Sequence, residues 1–219
     1  MDLCNEKDIR ALLGRHGFRF SKSMGQNFLI EGWVPRDIAD ASGAGEDCGV
    51  LEIGPGIGPL TVQLARRAGK VAAIELDRSL LPILDETLAP YDNVTVIPGD
   101  AMKLNLAALA AEQFPGLTPL ACANLPYNIT TPVLTALIEA GCFRAITVMI
   151  QREVALRICA VPGTADYGAF SLFCQYHTVP EFLFEVPPEC FLPAPKVTSA
   201  VIRLTPRDTP PQDLVAAAF

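Results

Sequence analysis

The stretch VLEIGPGIGPLTVQLA, residues 50–65, decides the fold. Its first four residues, VLEI, read as a short buried strand, and Gly54, Gly56 and Gly58 follow before the helical pattern PLTVQLA begins. Glycines are needed where a backbone turns tightly and comes within contact distance of a ligand. A dinucleotide fingerprint, G-x-G-x-x-G, would require its third glycine at position 59, where Pro59 stands. A pyrophosphate cofactor is therefore disfavoured.

Outward from this unit, apolar runs recur: VAAIEL (71–76), VTVIP (94–98), PLACA (119–123) and AITVMI (145–150). Helical patterns lie between them, near 60–68, 79–89, 104–113 and 132–140. Strands that each precede a helix are the signature of βαβ units and a parallel sheet covered on both faces. After residue 150 come helical patterns near 151–160 and 167–178, then FLFEV (182–186) and SAVIRL (199–204) across a proline-rich connection. These last two runs are expected to pair antiparallel and complete the sheet edge. The fold class is α/β: a mostly parallel seven-stranded sheet with a late antiparallel strand and helices on both faces. The turn chemistry of AVPGTADYGAF (160–170) reads as a structural loop.

Half of the 219 residues are apolar and 19% are charged, enough to bury a substantial core. No stretch approaches the roughly 18 apolar residues of a membrane span, and MDLCNEKDIR lacks the apolar segment of a secretory signal. A cytoplasmic, monomeric protein without a membrane partner is expected. The seven cysteines are scattered singly with only His16 and His177 beside them, so they read as reduced thiols, and no metal is expected. The net charge of −7 opposes a polyanionic partner on its face. Its distribution is uneven, however. Residues 75–112 hold seven acids against two bases, whereas residues 1–28 hold five bases against three acids, and 190–207 hold Lys196, Arg203 and Arg207 with no acid.

Three strand ends suit a nucleoside. Gly54 and Gly56 offer a close backbone approach, and Glu75 lies about 20 residues further on, where an acid accepts hydrogen bonds from ribose hydroxyls. Asp100, ending the third strand, is placed to accept from an adenine amino group. A nucleoside cofactor without a phosphate cradle suggests S-adenosylmethionine, and the sequence here resembles the class I methyltransferases. The fourth strand leads into NLPYNITTP, residues 124–132. An exocyclic adenine amine is a weak nucleophile because its lone pair is delocalised into the ring, and acceptors on its hydrogens localise that pair for in-line attack. The side-chain oxygen of Asn124 and a backbone carbonyl of Asn124-Leu125-Pro126 supply acceptors. Pro126 stiffens the turn, and Tyr127 offers a stacking face for a base taken out of its helix.

With KSMGQNFL (22–29) and CFLPAPKVTSAVIRL (190–204), an F-x-P-x-P-x-V-x-S segment, these motifs resemble the ribosomal RNA adenine N6 dimethyltransferase family from about residue 21 to 204. The resemblance implies that Asn27 and Leu29, with Gly54 beside them, meet the methionine end of S-adenosylmethionine, and that Gln26 helps close the site. It puts Glu75 and Leu76 at the ribose, Asp100 and Ala101 at the adenine, and Asn124 between cofactor and target amine. Tyr127 and Phe191 would stack on the flipped adenosine. NLPYNITTP is closer to the small-subunit enzymes than to the large-subunit resistance methyltransferases, whose motif more often begins N-I-P-Y, and Leu125 counts against DNA enzymes with D-P-P-Y. The resemblance thus implies dimethylation of adenosines in rRNA of the immature small ribosomal subunit; a large-subunit methyltransferase and an assembly factor binding that subunit are the alternatives. The basic segments around 1–28 and 190–207 would flank the base pocket, extended by Arg144, Arg152 and Arg157. Residues 1–206 are expected to form the methyltransferase domain with an N-terminal extension, and 207–219, ending in LVAAAF, the start of a largely missing C-terminal helical domain.

Overall fold

Strand β2 (Cys48–Ile53) is buried along its whole length, as a central strand of a doubly covered sheet must be. The computed structural model describes residues 1–20 and 26–209. Within them β3 (Lys70–Glu75), β4 (Val94–Pro98), β5 (Thr118–Asn124) and β6 (Ile146–Gln151) run parallel to β2, with β3 and β5 as its direct neighbours. The late strands are β7 (Thr178–Val186) and β9 (Ser199–Pro206), and the full order is β4-β3-β2-β5-β6-β9-β7. The sheet grows outward in one direction from β2 through β3 to β4, then restarts at β5 on the other side of β2. That reversal opens a crevice beyond the strand ends, where open α/β sheets hold ligands. Strand β9 is inserted antiparallel between β6 and β7. The expected antiparallel pair therefore forms, and β9 is the one strand opposed to the rest of this sheet.

Alternation of side chains along the strands builds two cores. Leu51, Ile53, Ile74, Val148 and Ile202 point to the face covered by α5 (Leu106–Gln113) and α6 (Thr130–Glu139), whose Leu106, Val133, Leu134 and Leu137 close the cluster. Val50, Val71, Leu120, Met149 and Val201 point to the other, against Val34 and Ile38 of α2 (Trp33–Ala41) and Leu60 and Leu64 of α3 (Pro59–Ala65). Helices α4 (Leu81–Leu88), α7 (Arg152–Ile158) and α8 (Ala169–His177) complete the set anticipated after residue 50.

The N-terminal region holds structure that periodicity did not announce. Helix α1 (Glu6–Arg15) starts at Asn5, whose side-chain oxygen accepts from the backbone N–H of Lys7 and Asp8. Strand β1 (Phe28–Leu29) pairs antiparallel with β8 (Phe191–Leu192), setting Leu29 opposite Phe191. Four residues thereby join two motifs more than 160 positions apart. Residues 21–25, which include the start of KSMGQNFL, and residues 210–219, most of the expected second domain, lie outside the described residues. Among the described residues no helix is long and apolar enough to cross a membrane.

Candidate active site

A cavity of about 310 Å³ opens at the carboxyl ends of β2, β3, β4 and β5, in the crevice the strand order creates. Every site residue expected from the sequence lines it. Gln26, Asn27 and Leu29 come from the N-terminal motif, Gly54 and Gly56 from the turn after β2, and Glu75 and Leu76 from the end of β3. Asp100 and Ala101 follow β4, Asn124 ends β5 with Leu125 to Tyr127 after it, and Phe191 arrives through β8. Each is delivered by a strand end or by the β1–β8 pair.

The turn after β2 leaves the strand with Gly54 at φ 70°, and a Cβ added there would meet nothing within 4 Å. The backbone is thus bare toward the cavity, and a side chain would take up ligand space at a strained φ. Gly56 donates its N–H to Glu75 Oε2 at 3.3 Å, and Asp77 donates its N–H to Oε1 at 2.7 Å. Burial pushes the Glu75 carboxyl above the ordinary range, and these backbone bonds partly restrain it. The acid is held rigidly with lone pairs to spare. Burial also raises Asp77, but hydrogen bonds from Ser79 and from Gln26 outweigh it and hold this carboxyl below its ordinary value. Gln26 Nε2 donates to Asp77 Oδ2 at 2.7 Å, fastening the N-terminal motif to the segment after β3.

Asp100 caps the turn after β4, its Oδ1 accepting from Met102 N–H at 3.0 Å. Leu76 and Met102, 53% and 43% exposed, are large apolar side chains left open on the wall of this cavity. They give the region beside Glu75 and Asp100 apolar surface suited to a flat ring. After β5, Leu125 N–H donates to Met149 O at 3.1 Å, so β6 supports the turn that carries Asn124 and Pro126. Tyr127 lies in the following helical turn, with its phenol oxygen 2.7 Å from Ser199 Oγ at the start of β9. Burial pushes that phenol above its ordinary value.

Sequence reasoning missed Glu52, inside β2 and also on the cavity wall. It is 1% exposed, and its Oε2 has no hydrogen-bond partner among the described residues. Burial pushes its carboxyl up to about 8; the neighbouring Thr61 hydroxyl pulls the other way, without good hydrogen-bond geometry of its own, and Glu75 adds to the rise. The signal was an acid inside an otherwise apolar run, a placement that is costly unless something compensates it.

The basic surface departs from expectation. Arg203 lies opposite Thr147 near the start of β6, pairs with Glu181 at 2.6 Å and reaches Ala41 O, while Arg207 donates to Gln175 O and Thr178 O. Arg144 precedes β6 and donates to Cys48 Sγ at the start of β2. These three sit at the amino ends of the parallel strands, away from the cavity: Arg144 because it precedes β6, and Arg203 and Arg207 because β9 runs against its neighbours. Arg152, just after β6, is at the cavity end and pairs with Glu185; Arg157 pairs with Glu153. Lys196 and Arg19 are exposed. Among the described residues no group of three or more His, Cys, Asp or Glu side chains is arranged to hold a metal.

Residues 17–217 match the family model described as ribosomal RNA adenine dimethylase. A protein named Ribosomal RNA small subunit methyltransferase A, from Geobacillus thermodenitrificans, is 50% identical over 96% of this chain and 72% of its own length. Among solved structures, the 23S rRNA methyltransferase ErmE is 31% identical with a TM-score of 0.71, over 87% of this chain and 75% of that one. A dimethyladenosine transferase from Plasmodium falciparum is 28% identical with a TM-score of 0.72, over 86% of this chain and 65% of that one.

Proposed function

The chain belongs to the ribosomal RNA adenine dimethylase family, and from that premise we propose that it transfers two methyl groups in succession from S-adenosylmethionine to N6 of adenosines in small-subunit rRNA. Identity of 50% to a small-subunit enzyme, against 31% to a large-subunit one, supports the choice of substrate. The observation that carries the assignment of the site is the convergence of the N-terminal motif, three strand ends, the NLPY turn and Phe191 on one cavity.

The residues present fit the cosubstrate. The bare backbone at Gly54 leaves room for it, and the orphaned buried carboxyl of Glu52 suits a cationic ligand. When bound, S-adenosylmethionine supplies an electrophilic methyl on a positively charged sulfur. Asn27 and Leu29 would hold its methionine end, with Gln26 closing that side, Glu75 would accept from the ribose hydroxyls, and Asp100 from the adenine amine. Leu76 and Ala101 would flank the ring.

On the substrate side, Asn124 Oδ1 and the Leu125 carbonyl would accept hydrogen bonds from the two hydrogens of the target amine. That draws the nitrogen lone pair out of conjugation and toward the methyl. Pro126 keeps the carbonyl in place, and Tyr127 and Phe191 stack on the extruded base. The amine needs acceptors and orientation, with the proton lost to solvent after attack. Attack on a sulfonium carbon calls for no Lewis acid, so no metal is given a role. The reading includes a monomer acting in the cytoplasm on a partly assembled subunit.

Labelled S-adenosylmethionine incubated with unmethylated small and large subunits, followed by digestion to nucleosides and mass analysis, tests this. Dimethyladenosine from the small subunit alone is expected. Product from the large subunit alone would replace the substrate; product from neither would leave a binding role in assembly and remove the activity.

A further inference from the structure

Ser199 closes the F-x-P-x-P-x-V-x-S segment, and the proposed reaction gives it no role. It is fully buried, with 0% exposure, and its backbone is fixed by pairing with Gln151 of β6 and Val186 of β7. Immediately before it, Thr198 O accepts from Arg152 N–H at 3.0 Å. A small hydroxyl at the start of a doubly paired strand is a rigid anchor, and its oxygen lies 2.7 Å from the phenol of Tyr127. Tyr127 sits in a single short helical turn, and the polar end of its side chain meets this hydroxyl. A phenylalanine in its place would stack as well on area alone. The hydroxyl pair fixes where the ring's far end lies.

We propose that Ser199 is a positioning residue for the base site: its hydroxyl holds the phenol of Tyr127 so that the ring presents one fixed face to the extruded adenine. This rests on the assignment of Tyr127 to that adenine.

The second methyl transfer should depend on this anchor more than the first. An unmodified amine offers two hydrogens to the two acceptors, Asn124 Oδ1 and the Leu125 carbonyl. After one transfer a single hydrogen remains, one acceptor loses its partner, and the orientation it supplied must come from the stack. A loosened ring therefore slows the second step most, and N6-monomethyladenosine accumulates.

The test compares wild type, Ser199→Ala, Tyr127→Phe and the double variant on unmethylated small subunits, following mono- and dimethyladenosine over time by mass analysis. Equilibrium binding of S-adenosylmethionine is measured alongside. Wild type must make dimethyladenosine; if it does not, the assigned function fails, and that result is distinct from failure of the anchor. With activity present, each single variant is expected to slow the second transfer about tenfold, the rate equivalent of one lost neutral hydrogen bond. The mono-to-dimethyl ratio should rise, cosubstrate affinity should stay within about twofold, and the double variant should be no slower than either single one. An unchanged ratio, additive losses, or a parallel fall in cosubstrate affinity and thermal stability for Ser199→Ala would each overturn the proposal.

Discussion

Replacing Glu52 by Gln should make the empty protein more resistant to alkaline destabilisation than the natural chain. A carboxyl that titrates at about 4.5 when unfolded and about 8 when folded binds its proton more tightly in the folded state. Its stabilising contribution is complete below 4.5 and is lost as pH rises through about 8. The total loss is about 5 kcal/mol, from about 1.36 kcal/mol for each pH unit between the two values. From about pH 6 to about pH 8.5 the natural chain should lose about 2–3 kcal/mol relative to Glu52→Gln, or about 5–10 °C in Tm for a chain of this size. The packing cost of the amide is common to both pH values and cancels. Glu75 and the Cys122 thiol face the same carboxylate, and each is raised partly or mainly by burial. Removing the charge of Glu52 eases their ionisation as well and adds to the difference with the same sign. Thermal unfolding of the two proteins without cosubstrate, across that range, makes the measurement. Tm curves that run parallel would falsify the account of Glu52 as a buried acid whose ionisation opposes folding. Saturating S-adenosylmethionine should narrow the gap, because a bound cation compensates the charge only in the natural chain.

On the proposed reading Asn124→Ala removes a side-chain acceptor from the target amine and should lower methylation by at least about a hundredfold, on the scale of losing one positioned charge-stabilising group; single-turnover transfer with saturating cosubstrate reads it, and an unchanged rate refutes the role. With Glu75 on the ribose as proposed, Glu75→Gln keeps the shape but weakens acceptance from the hydroxyls, so cosubstrate Kd should rise about tenfold or more by equilibrium binding. Phe191, 4% exposed and opposite Leu29, is core as well as cavity wall, so Phe191→Ala should raise KM for the subunit by about 5- to 100-fold, the range of a lost base–aromatic stack, and lower stability in thermal unfolding by about 3–5 kcal/mol. Gly69→Ala would place a Cβ 2.3 Å from Glu46 O, a backbone atom that cannot swing aside, and should cost about 2–4 kcal/mol in thermal unfolding without altering the site.

The five parallel strands were legible because each is an apolar run followed or ended by a glycine, acid or amide; the central ones are buried on both faces, and β4, at the sheet edge, is half-buried. The cavity residues that end or follow those runs, Gly54, Gly56, Glu75, Asp100 and Asn124 to Tyr127, were legible for the same reason, whereas Gln26, Asn27, Leu29 and Phe191 came from the family resemblance alone. What escaped lacked a period. Strands β1 and β8 have two residues each, too few to alternate, and their pairing is decided by tertiary packing of Phe28, Leu29, Phe191 and Leu192. Helices α1 and α2 precede the first core strand and were not picked out in the N-terminal extension, although Asn5 before Glu6 and Lys7 is an ordinary helix start. Glu52 was passed over because the run around it, VLEI, reads as a strand whichever way that one side chain is disposed.

The misplaced basic residues share one cause, which is strand direction. In a parallel sheet the residues that follow each strand reach the ligand crevice and those that precede it reach the opposite end. Arg152 follows β6 and lies at the cavity end, whereas Arg144 precedes β6 and bonds to Cys48 at the far end. For β9 the rule inverts, because it enters the sheet against its neighbours. The residues before it lie at the cavity end of the sheet, where Phe191 lines the cavity and Ser199 meets Tyr127, while Arg203 and Arg207 are carried away toward Thr147 and His177. A single reversed strand thus brings a segment nearly 70 positions beyond Tyr127 to the same cavity. It also carries two of the three bases in residues 190–207, Arg203 and Arg207, to the end of the sheet opposite the cavity. Lys196, which precedes β9, is the one left at that end, so its replacement by Ala should reduce the salt dependence of subunit binding, while replacing Arg203 should not.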